Sequence, residues 1–237
     1  ANIKQDILTK IRRTTIRKPT TNIKLVSITK QNNLYESVSN LNGIVIPAIY
    51  EYILKGHMSL LNYMPHYLVE PIDYNNIKEV IEMAIEYEIL INQYNYRRHQ
   101  IVDYNWLTEE VIDECVDNLD KLGLTPISEF EIKYSSSLSE KVILNDVIDC
   151  IDGPNIYEFK CVSKLEDDHY IQLFMYMYLR EQYEGAYLYN ILTDELVLIE
   201  CIKEDMETIV DNIYGHKFGV ISKVKIDDSR FINLIKN

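Results

Sequence analysis

The chain has 237 residues, of which 47% are hydrophobic and 26% are charged, so it is long enough to bury a core and has the composition of an ordinary globular protein. No apolar run approaches the roughly 18 residues that a membrane-spanning helix needs, and the N-terminus lacks the layout of a signal peptide. The four cysteines are scattered without a CxxC pair, which indicates reduced thiols in an intracellular protein and argues against a zinc or iron–sulfur site.

The net charge of −13 is unevenly distributed along the chain. Residues 1–31 carry eight lysines and arginines against one acid, Asp6, which gives this segment a charge of +7 and the remainder −20. A basic arm of this kind can hold a phosphate backbone while the body stays acidic, and a solvated leader without that role is the open alternative. An acidic body also suits a module that depends on a larger polypeptide for its nucleic-acid affinity. The chain begins at Ala1 and not at a methionine, as an excised domain would.

Residues 32–125 are predicted to form a mainly helical part. Residues 40–56 have an apolar helical face and end on a glycine, although Pro47 can kink this helix or move its start. Residues 75–94 have the same helical period. Thr108 is a suitable N-cap for a further helix, because two glutamates follow it in the first turn.

Residues 126–237 show an α/β pattern. The predicted strands are 127–134, 142–151, 156–162, 186–192 and 195–200, with a turn at 135–139 and helices from Asp167 or Asp168 to about Tyr183 and over 204–214. This order predicts an α/β fold with a mixed sheet. We therefore expect one compact domain made of a basic N-terminal arm, a helical part and an α/β core.

The turn Asp152-Gly153-Pro154-Asn155 determines which acidic residues face each other across its two strands. With this turn, Asp149 lies directly opposite Glu158, with Cβ atoms roughly 5 Å apart. Two carboxylates at that distance repel each other, and a bridging divalent cation such as Mg²⁺ would remove the penalty. Lys160 points to the same face as Glu158. Two acids, a metal and a lysine suit metal-assisted hydrolysis of a phosphodiester.

The same register places Cys150 opposite Tyr157 and decides between neighbouring acids. By alternation along the strand, Asp146 and Asp152 lie on the opposite side from Asp149. We therefore interpret Asp152 as a turn former and Asp146 as a residue of the strand entry.

The following helix carries Gln172 and Tyr176, which share one face because they are four residues apart. They can orient a substrate or the metal ligands. Such a pair is also common as an ordinary hydrogen bond within a core.

The series Asp149, then Glu158-Phe159-Lys160, then Gln172 and Tyr176 resembles the D…(D/E)xK…QxxxY motifs of RecB-like nucleases in the PD-(D/E)XK superfamily, in a similarity that covers about residues 40–200. The resemblance implies a restriction-endonuclease-like mixed β-sheet flanked by helices. It also implies Mg²⁺ or Mn²⁺ held by the two carboxylates and the Phe159 carbonyl, with Lys160 catalytic and the glutamine and tyrosine supporting the site.

Upstream, residues 43–51 resemble the first-helix pattern GxxxHxxxE of that family, with Gly43 and Glu51 in place. Pro47 stands at the histidine position and cannot bind a metal. The resemblance makes Glu51 a candidate further metal ligand, and Glu129 in the strand 127–134 is its rival.

The resemblance implies an enzyme that hydrolyses phosphodiester bonds of single- or double-stranded DNA. Within that family the chain resembles nuclease domains attached to UvrD-type helicases. We therefore expect a helicase in the same polypeptide, no membrane partner, and a location in the cytoplasm or at a replication site. The alternative is a catalytically inactive, nuclease-like binding or scaffolding domain in a replication or repair complex, which the missing histidine and the acidic body favour.

Overall fold

The computed structural model describes residues 3–31, 34–92, 101, 104–139, 142–180 and 182–218. The helices are α1 (Ile3–Lys10), α2 (Ser39–Lys55), α3 (Ile77–Asn92), α4 (Glu109–Asp120), α5 (Asp167–Leu179) and α6 (Lys203–Phe218), and short 3-10 helices at Ser59–Tyr63 and Pro65–Leu68 join α2 to α3. The strands are β1 (Arg12–Arg17), β2 (Ile28–Gln31), β3 (Leu34–Ser37), β4 (Glu129–Ser139), β5 (Val142–Asp152), β6 (Asn155–Lys160), β7 (Gly185–Asn190) and β8 (Glu195–Glu200).

The helices of the N-terminal half begin and end where local chemistry predicts. Helix α2 runs through the buried Pro47, so the proline neither ends the helix nor delays its start. Gly56 then ends it in the left-handed conformation with φ of 78°, which glycine adopts without a steric penalty. The Thr108 hydroxyl accepts a hydrogen bond from the Val111 N–H at 3.4 Å, which confirms the predicted cap of α4.

Six of the described strands form one sheet in the order β1-β8-β7-β6-β5-β4. Strands β6 and β7 are parallel, because α5 connects them as a crossover, and the other neighbours are antiparallel. The predicted α/β class with a mixed sheet is therefore confirmed. Strands β2 and β3 form a separate hairpin.

The sheet is buried on both faces. Helices α1, α5 and α6 cover one face, where Ile156, Leu188 and Val197 lie in the same apolar cluster as Leu173 of α5. Helices α2 and α4 cover the other face, where the cluster includes residues from β4, β5, β6 and β7. A third cluster joins α2 to α3 and the 3-10 helices. The α5 side and the α2 side of β5 and β6 are therefore distinct environments.

Several local predictions differ from the structure. The predicted turn at 135–139 is wrong, because β4 continues to Ser139 and stays paired with β5. Helix α5 ends at Leu179, four residues before the predicted end. The predicted helix over 75–94 is present as α3, and its last two predicted residues lie outside the described part of the chain.

The basic segment 1–31 contributes α1, which packs against α5 and α6, and β1, which pairs with β8 at the edge of the sheet. Five of its eight basic side chains form ion pairs with acidic groups of the described chain. The pairs are Lys4–Asp168, Lys10–Asp205, Arg12–Glu200, Arg13–Asp167 and Arg17–Asp194. Much of the positive charge of this segment is therefore neutralised by the protein's own acids.

Among the described residues, no helix is both long enough and apolar enough to cross a membrane.

Candidate functional site

The hairpin of β5 and β6 has the register that its turn predicts, but only as far as the pair that precedes Asp149 and Glu158. Cys150 pairs with Tyr157, as expected, but the ladder ends there and does not continue to Asp149 and Glu158. Instead, Oδ2 of Asp149 accepts a hydrogen bond from the Phe159 N–H at 2.7 Å. A carboxylate thus takes the place of a backbone carbonyl, and the two strands separate at this point.

The alternation of faces is interrupted at the same place. In a regular strand residues i and i+2 share a face, yet Ile148 lies in the α5-side cluster while Cys150 lies in the α2-side cluster. In the β4–β5 register Glu131 lies opposite Asp149, but these two residues are not paired. Glu131 has a left-handed backbone conformation with φ of 51°. The interruption therefore involves both strands.

This interruption corrects one expectation. Alternation placed Asp146 on the side of β5 away from the site, as a residue of the strand entry. Because the faces switch between Asp146 and Asp149, Asp146 lies on the α5 side of β5, near Tyr176. The alternation of side chains between the two faces holds only along an uninterrupted strand, and β5 is interrupted between Ile148 and Cys150. Asp152 accepts a hydrogen bond from Thr125 at 2.5 Å outside this group, at the turn as predicted.

Glu158 lies at the centre of the site on β6. Its side chain points to the α5 side, because Tyr157 and Phe159 on either side of it belong to the α2-side cluster. Only 1% of Glu158 is exposed. Its Oε1 accepts a hydrogen bond from Lys160 Nζ at 2.5 Å, whereas its Oε2 is buried and has no hydrogen-bond partner in the described part of the chain. A buried carboxylate oxygen without a partner costs free energy of folding, so this position calls for a functional reason.

The carboxyl groups of Asp149 and Glu158 lie close enough to affect each other's ionisation. Burial, and then the Asp149 charge, raises the pKa of Glu158 well above its usual range. Burial also raises the pKa of Asp149, although Lys160 opposes this shift. A divalent cation bound between the two carboxylates would remove the repulsion that disfavours their ionisation.

Lys160 faces the carboxyl pair from the end of β6. Burial alone would lower the pKa of its ammonium group, but the charges of Glu158 and Asp149 outweigh burial and raise it. The lysine is therefore held charged beside the two acids.

The two residues of α5 that the motif singled out join this group. Lys160 Nζ donates to Gln172 Oε1 at 2.7 Å, and Gln172 Nε2 donates to the Tyr176 hydroxyl at 2.7 Å. Tyr176 is only 1% exposed, and burial, followed by the charge of Glu158, raises its pKa. The structure thus brings together Asp149, Glu158, Lys160, Gln172 and Tyr176 in one connected group.

The two candidates for a further carboxylate lie outside that group. Glu129 is exposed. Glu51 is buried, but Ser59 donates to it from its N–H at 2.7 Å and from its hydroxyl at 2.5 Å, and Lys55 Nζ lies 3.2 Å from it. The carboxylate of Glu51 is therefore engaged where α2 meets the first 3-10 helix.

Glu131 is the acid that sequence reasoning missed. Its Oε2 accepts a hydrogen bond from the Tyr87 hydroxyl at 2.7 Å. Burial, and then the charge of Asp149, raises its pKa to about 8. Glu129 and Glu131 have the same strand parity, so alternation alone could not separate them, and the left-handed backbone that does so has no sequence signal of its own.

The donors present fit a divalent cation in part. Asp149 and Glu158 offer oxygen ligands, including the unpartnered Oε2. Phe159 adds its carbonyl, because the N–H and C=O of one strand residue point to the same edge and its N–H points at Asp149. Among the described residues, however, no three or more His, Cys, Asp or Glu are grouped as a metal shell. Mg²⁺ keeps several waters in its shell, so two carboxylates and a carbonyl suit it.

No protein-family model matches the chain, and neither a curated protein nor a solved structure matches it. The assignment of a function therefore depends on the chemistry of this group of residues.

Proposed function

We propose that the protein is a Mg²⁺- or Mn²⁺-dependent nuclease with a restriction-endonuclease-like core that hydrolyses phosphodiester bonds of DNA. One observation carries the proposal: the buried carboxyl groups of Asp149 and Glu158 lie together beside Lys160, and one buried oxygen of Glu158 has no hydrogen-bond partner in the described part of the chain. The order of a separated hairpin, a crossover helix and a parallel strand around these residues supports the fold assignment.

The chain's own residues have distinct roles in this proposal. Asp149, Glu158 and the Phe159 carbonyl would hold the cation, which when bound would act as a Lewis acid and make a coordinated water easier to deprotonate. Lys160 is oriented by Glu158 and would hold the attacking water or offset negative charge on the phosphate. Gln172 accepts a second hydrogen bond from the Lys160 ammonium group and so helps to fix its orientation.

Glu51 has a lesser role in this proposal. It would reach a cation only by giving up its bonds to Ser59 and Lys55, so we assign the direct carboxylate ligands to Asp149 and Glu158.

DNA as the substrate and a helicase in the same polypeptide rest on the resemblance to RecB-like nucleases. The net charge of −13 supports a chain that acts where another polypeptide or domain holds the DNA, since phosphates repel an acidic surface. The ion pairs of the basic segment support the same conclusion.

The proposal is tested by cleavage of single- and double-stranded DNA in Mn²⁺ with the wild type and Lys160→Ala. Lys164→Ala is the matched control, because Lys164 is an exposed lysine of the loop that follows β6. We expect cleavage by the wild type and the control and its loss in Lys160→Ala. Equal cleavage by the wild type and Lys160→Ala would refute the assignment of the site.

A nuclease-like binding domain without activity is the second candidate. The engagement of Glu51 by Ser59 favours it, as does Pro47, which stands where the resembled pattern GxxxHxxxE has a histidine. This candidate predicts DNA binding that is independent of Mn²⁺ and no cleavage by any variant.

A further inference from the structure

Lys160 is the last residue of β6, and it lies beside Asn190, the last residue of β7. The two strands are parallel, and Lys160 pairs with Asn190 in their register. The Ile191 N–H donates to the Lys160 carbonyl at 2.7 Å, as a regular parallel ladder requires. The backbone bonds between the two strands therefore reach as far as Lys160.

The next bonds of a parallel ladder would join Val162 to Ile191 and Thr193, but both of these residues have other partners. The Ile191 carbonyl accepts from Asn118 Nδ2 at 2.7 Å. The Thr193 N–H donates to the Asn190 carbonyl at 3.3 Å, because the chain turns there towards β8. The backbone of β7 therefore does not supply the partners of Val162.

The side chain of Asn190 supplies them instead. Its Nδ2 donates to the Val162 carbonyl at 2.8 Å, and its Oδ1 accepts from the Val162 N–H at 3.3 Å. The same oxygen accepts from the Leu192 N–H at 3.3 Å. Asn190 is fully buried, and its carboxamide offers a donor and an acceptor as a peptide group does. One side chain thus extends the hydrogen bonding of β6 beyond the end of β7.

Asn190 lies on the same face of the sheet as the Lys160 side chain. Side chains of paired residues in a parallel ladder leave the sheet on one face, and Glu158 pairs with Leu188 as Lys160 pairs with Asn190. Leu188 belongs to the α5-side cluster. Asn190, two residues further along β7, therefore lies on the α5 side next to Lys160.

Side chains thus replace backbone partners on both sides of Lys160. Before it, Asp149 accepts a hydrogen bond from the Phe159 N–H at 2.7 Å. After it, Asn190 binds both backbone groups of Val162. The position of the lysine backbone depends on these two contacts as well as on the ladder.

We propose that Asn190 is a positioning residue: by binding Val162 it fixes the end of β6, and with it the point from which the Lys160 side chain reaches its partners. Those partners are Glu158 at 2.5 Å and Gln172 at 2.7 Å, which lie on two different elements, β6 and α5. A shift of the strand end moves Lys160 relative to both. The inference rests on the proposed nuclease function for its activity test alone.

Two alanine substitutions separate positioning from loss of stability. Asn190→Ala removes the donor to the Val162 carbonyl, and Asn118→Ala, the matched control, removes a buried donor to the Ile191 carbonyl. Both should lower the thermal midpoint by roughly 3–10 °C, since each leaves a buried carbonyl without this partner. Only Asn190→Ala should also lower kcat, by about 10- to 100-fold with KM nearly unchanged, as displacement of a reactive group does. Equal losses of kcat in the two variants would overturn the inference.

NMR of the lysine side-chain ammonium groups reports the surroundings of Lys160 without any activity. The Lys160 signal is assigned by its absence in Lys160→Arg. We expect it to shift or broaden in Asn190→Ala and to stay unchanged in Asn118→Ala. An unchanged signal in Asn190→Ala would refute the positioning role, whereas a wild type that does not cleave would refute the proposed function alone.

Hydrogen exchange in the wild type tests the contact itself and needs no variant. The Val162 amide should be protected from exchange as the Ile191 amide is, because each donates a hydrogen bond within the extended ladder. Exchange of Val162 as fast as that of Ser163, the exposed residue that follows it, would show that Asn190 does not hold the end of β6. That result would overturn the inference even where Asn190→Ala fails to fold.

Discussion

Asp194 and Glu158 are two buried carboxylates, one in a turn of the six-stranded sheet and one on a strand of it, each 1% exposed, with opposite surroundings. Asp194 lies in the turn between β7 and β8 and has a partner on every side. The Thr20 hydroxyl donates to it at 2.6 Å, the Tyr189 hydroxyl donates at 2.8 Å, and Arg17 and Lys121 lie 3.2 Å and 3.6 Å away. These contacts fix the segment after β1 to the β7–β8 turn.

Glu158 lies on β6, next to β7, and its surroundings are incomplete. Among the described residues it has one lysine and a second acid whose charge raises its pKa, and its Oε2 has no hydrogen-bond partner. A buried charge that is fully paired serves the fold, whereas one that is left partly unpaired lowers stability and is retained for another reason. The contrast between the two acids separates a structural cluster from a functional one within a single sheet.

The largest effect expected from this contrast is on activity. Glu158→Gln keeps the shape of the side chain but removes its charge, so we expect cleavage to fall by about 1000-fold, the upper range for loss of a group that faces developing charge. The free energy of unfolding should stay equal or rise, since a raised pKa means that the charged form is disfavoured. Cleavage assays and urea unfolding of the same preparation measure both. A destabilised Glu158→Gln would make this acid structural, like Asp194.

Asp194→Asn is the reciprocal change. Asparagine tolerates the left-handed backbone at this position, where φ is 57°, so the substitution removes the charge without adding strain. We expect a loss of about 2–3 kcal/mol in the free energy of unfolding, below the roughly 3–5 kcal/mol typical of a broken buried pair, because Arg17 and Lys121 remain partly exposed. Folded Asp194→Asn should bind Mn²⁺ as the wild type does. Urea unfolding with unchanged stability would contradict the structural role.

The pH dependence of stability gives a smaller effect. Glu131 has its pKa raised to about 8 from an ordinary value of 4.5, so between these values the folded protein holds a proton that the unfolded chain releases. The free energy of unfolding should therefore fall as pH rises through this window, by up to about 1.4 kcal/mol per pH unit for this one proton.

Glu131→Gln should make the free energy of unfolding less dependent on pH, because glutamine has no proton to release. Glu129→Gln is the matched control, two residues away and exposed, and should leave the slope as it is. Urea unfolding at pH 5, 6.5 and 8 in a chelator compares the three proteins. The same slope in all of them would show that Glu131 is not held protonated.

The smallest effect concerns the exposed ion pairs of the basic segment. Lys4 and Asp168 form a 2.6 Å pair, but their side chains are 64% and 67% exposed. Lys4→Ala should lower the free energy of unfolding by less than about 1 kcal/mol, since such pairs are screened by water and salt. A loss as large as that of Asp194→Asn would erase the distinction between exposed and buried pairs on which the comparison depends.

The parts of the fold that could be predicted are those with local causes. The turn at Asp152–Asn155 sets the register of Cys150 and Tyr157, and the Thr108 side chain caps α4 from within its own first turn. The motif residues on β6 and α5 come together for the same reason, because regular strands and helices fix which residues share a face.

The parts that could not be predicted depend on distant partners. Strand β1 is exposed along most of its length and so has no apolar alternation, and its partner β8 lies far along the chain. The approach of Asp146 to Tyr176 depends on the switch of faces in β5, which involves the left-handed backbone of Glu131 in the neighbouring strand. Neither feature leaves a pattern in its own segment.

The central claim is that Asp149 and Glu158 form a divalent-cation site, and calorimetric titration with Mn²⁺ tests it most directly. We expect the wild type to bind, Glu158→Gln and Asp149→Ala to lose that binding, and Asp194→Asn to retain it when measured well below its unfolding temperature. Binding by Glu158→Gln equal to that of the wild type, or no binding by the wild type, would contradict the claim.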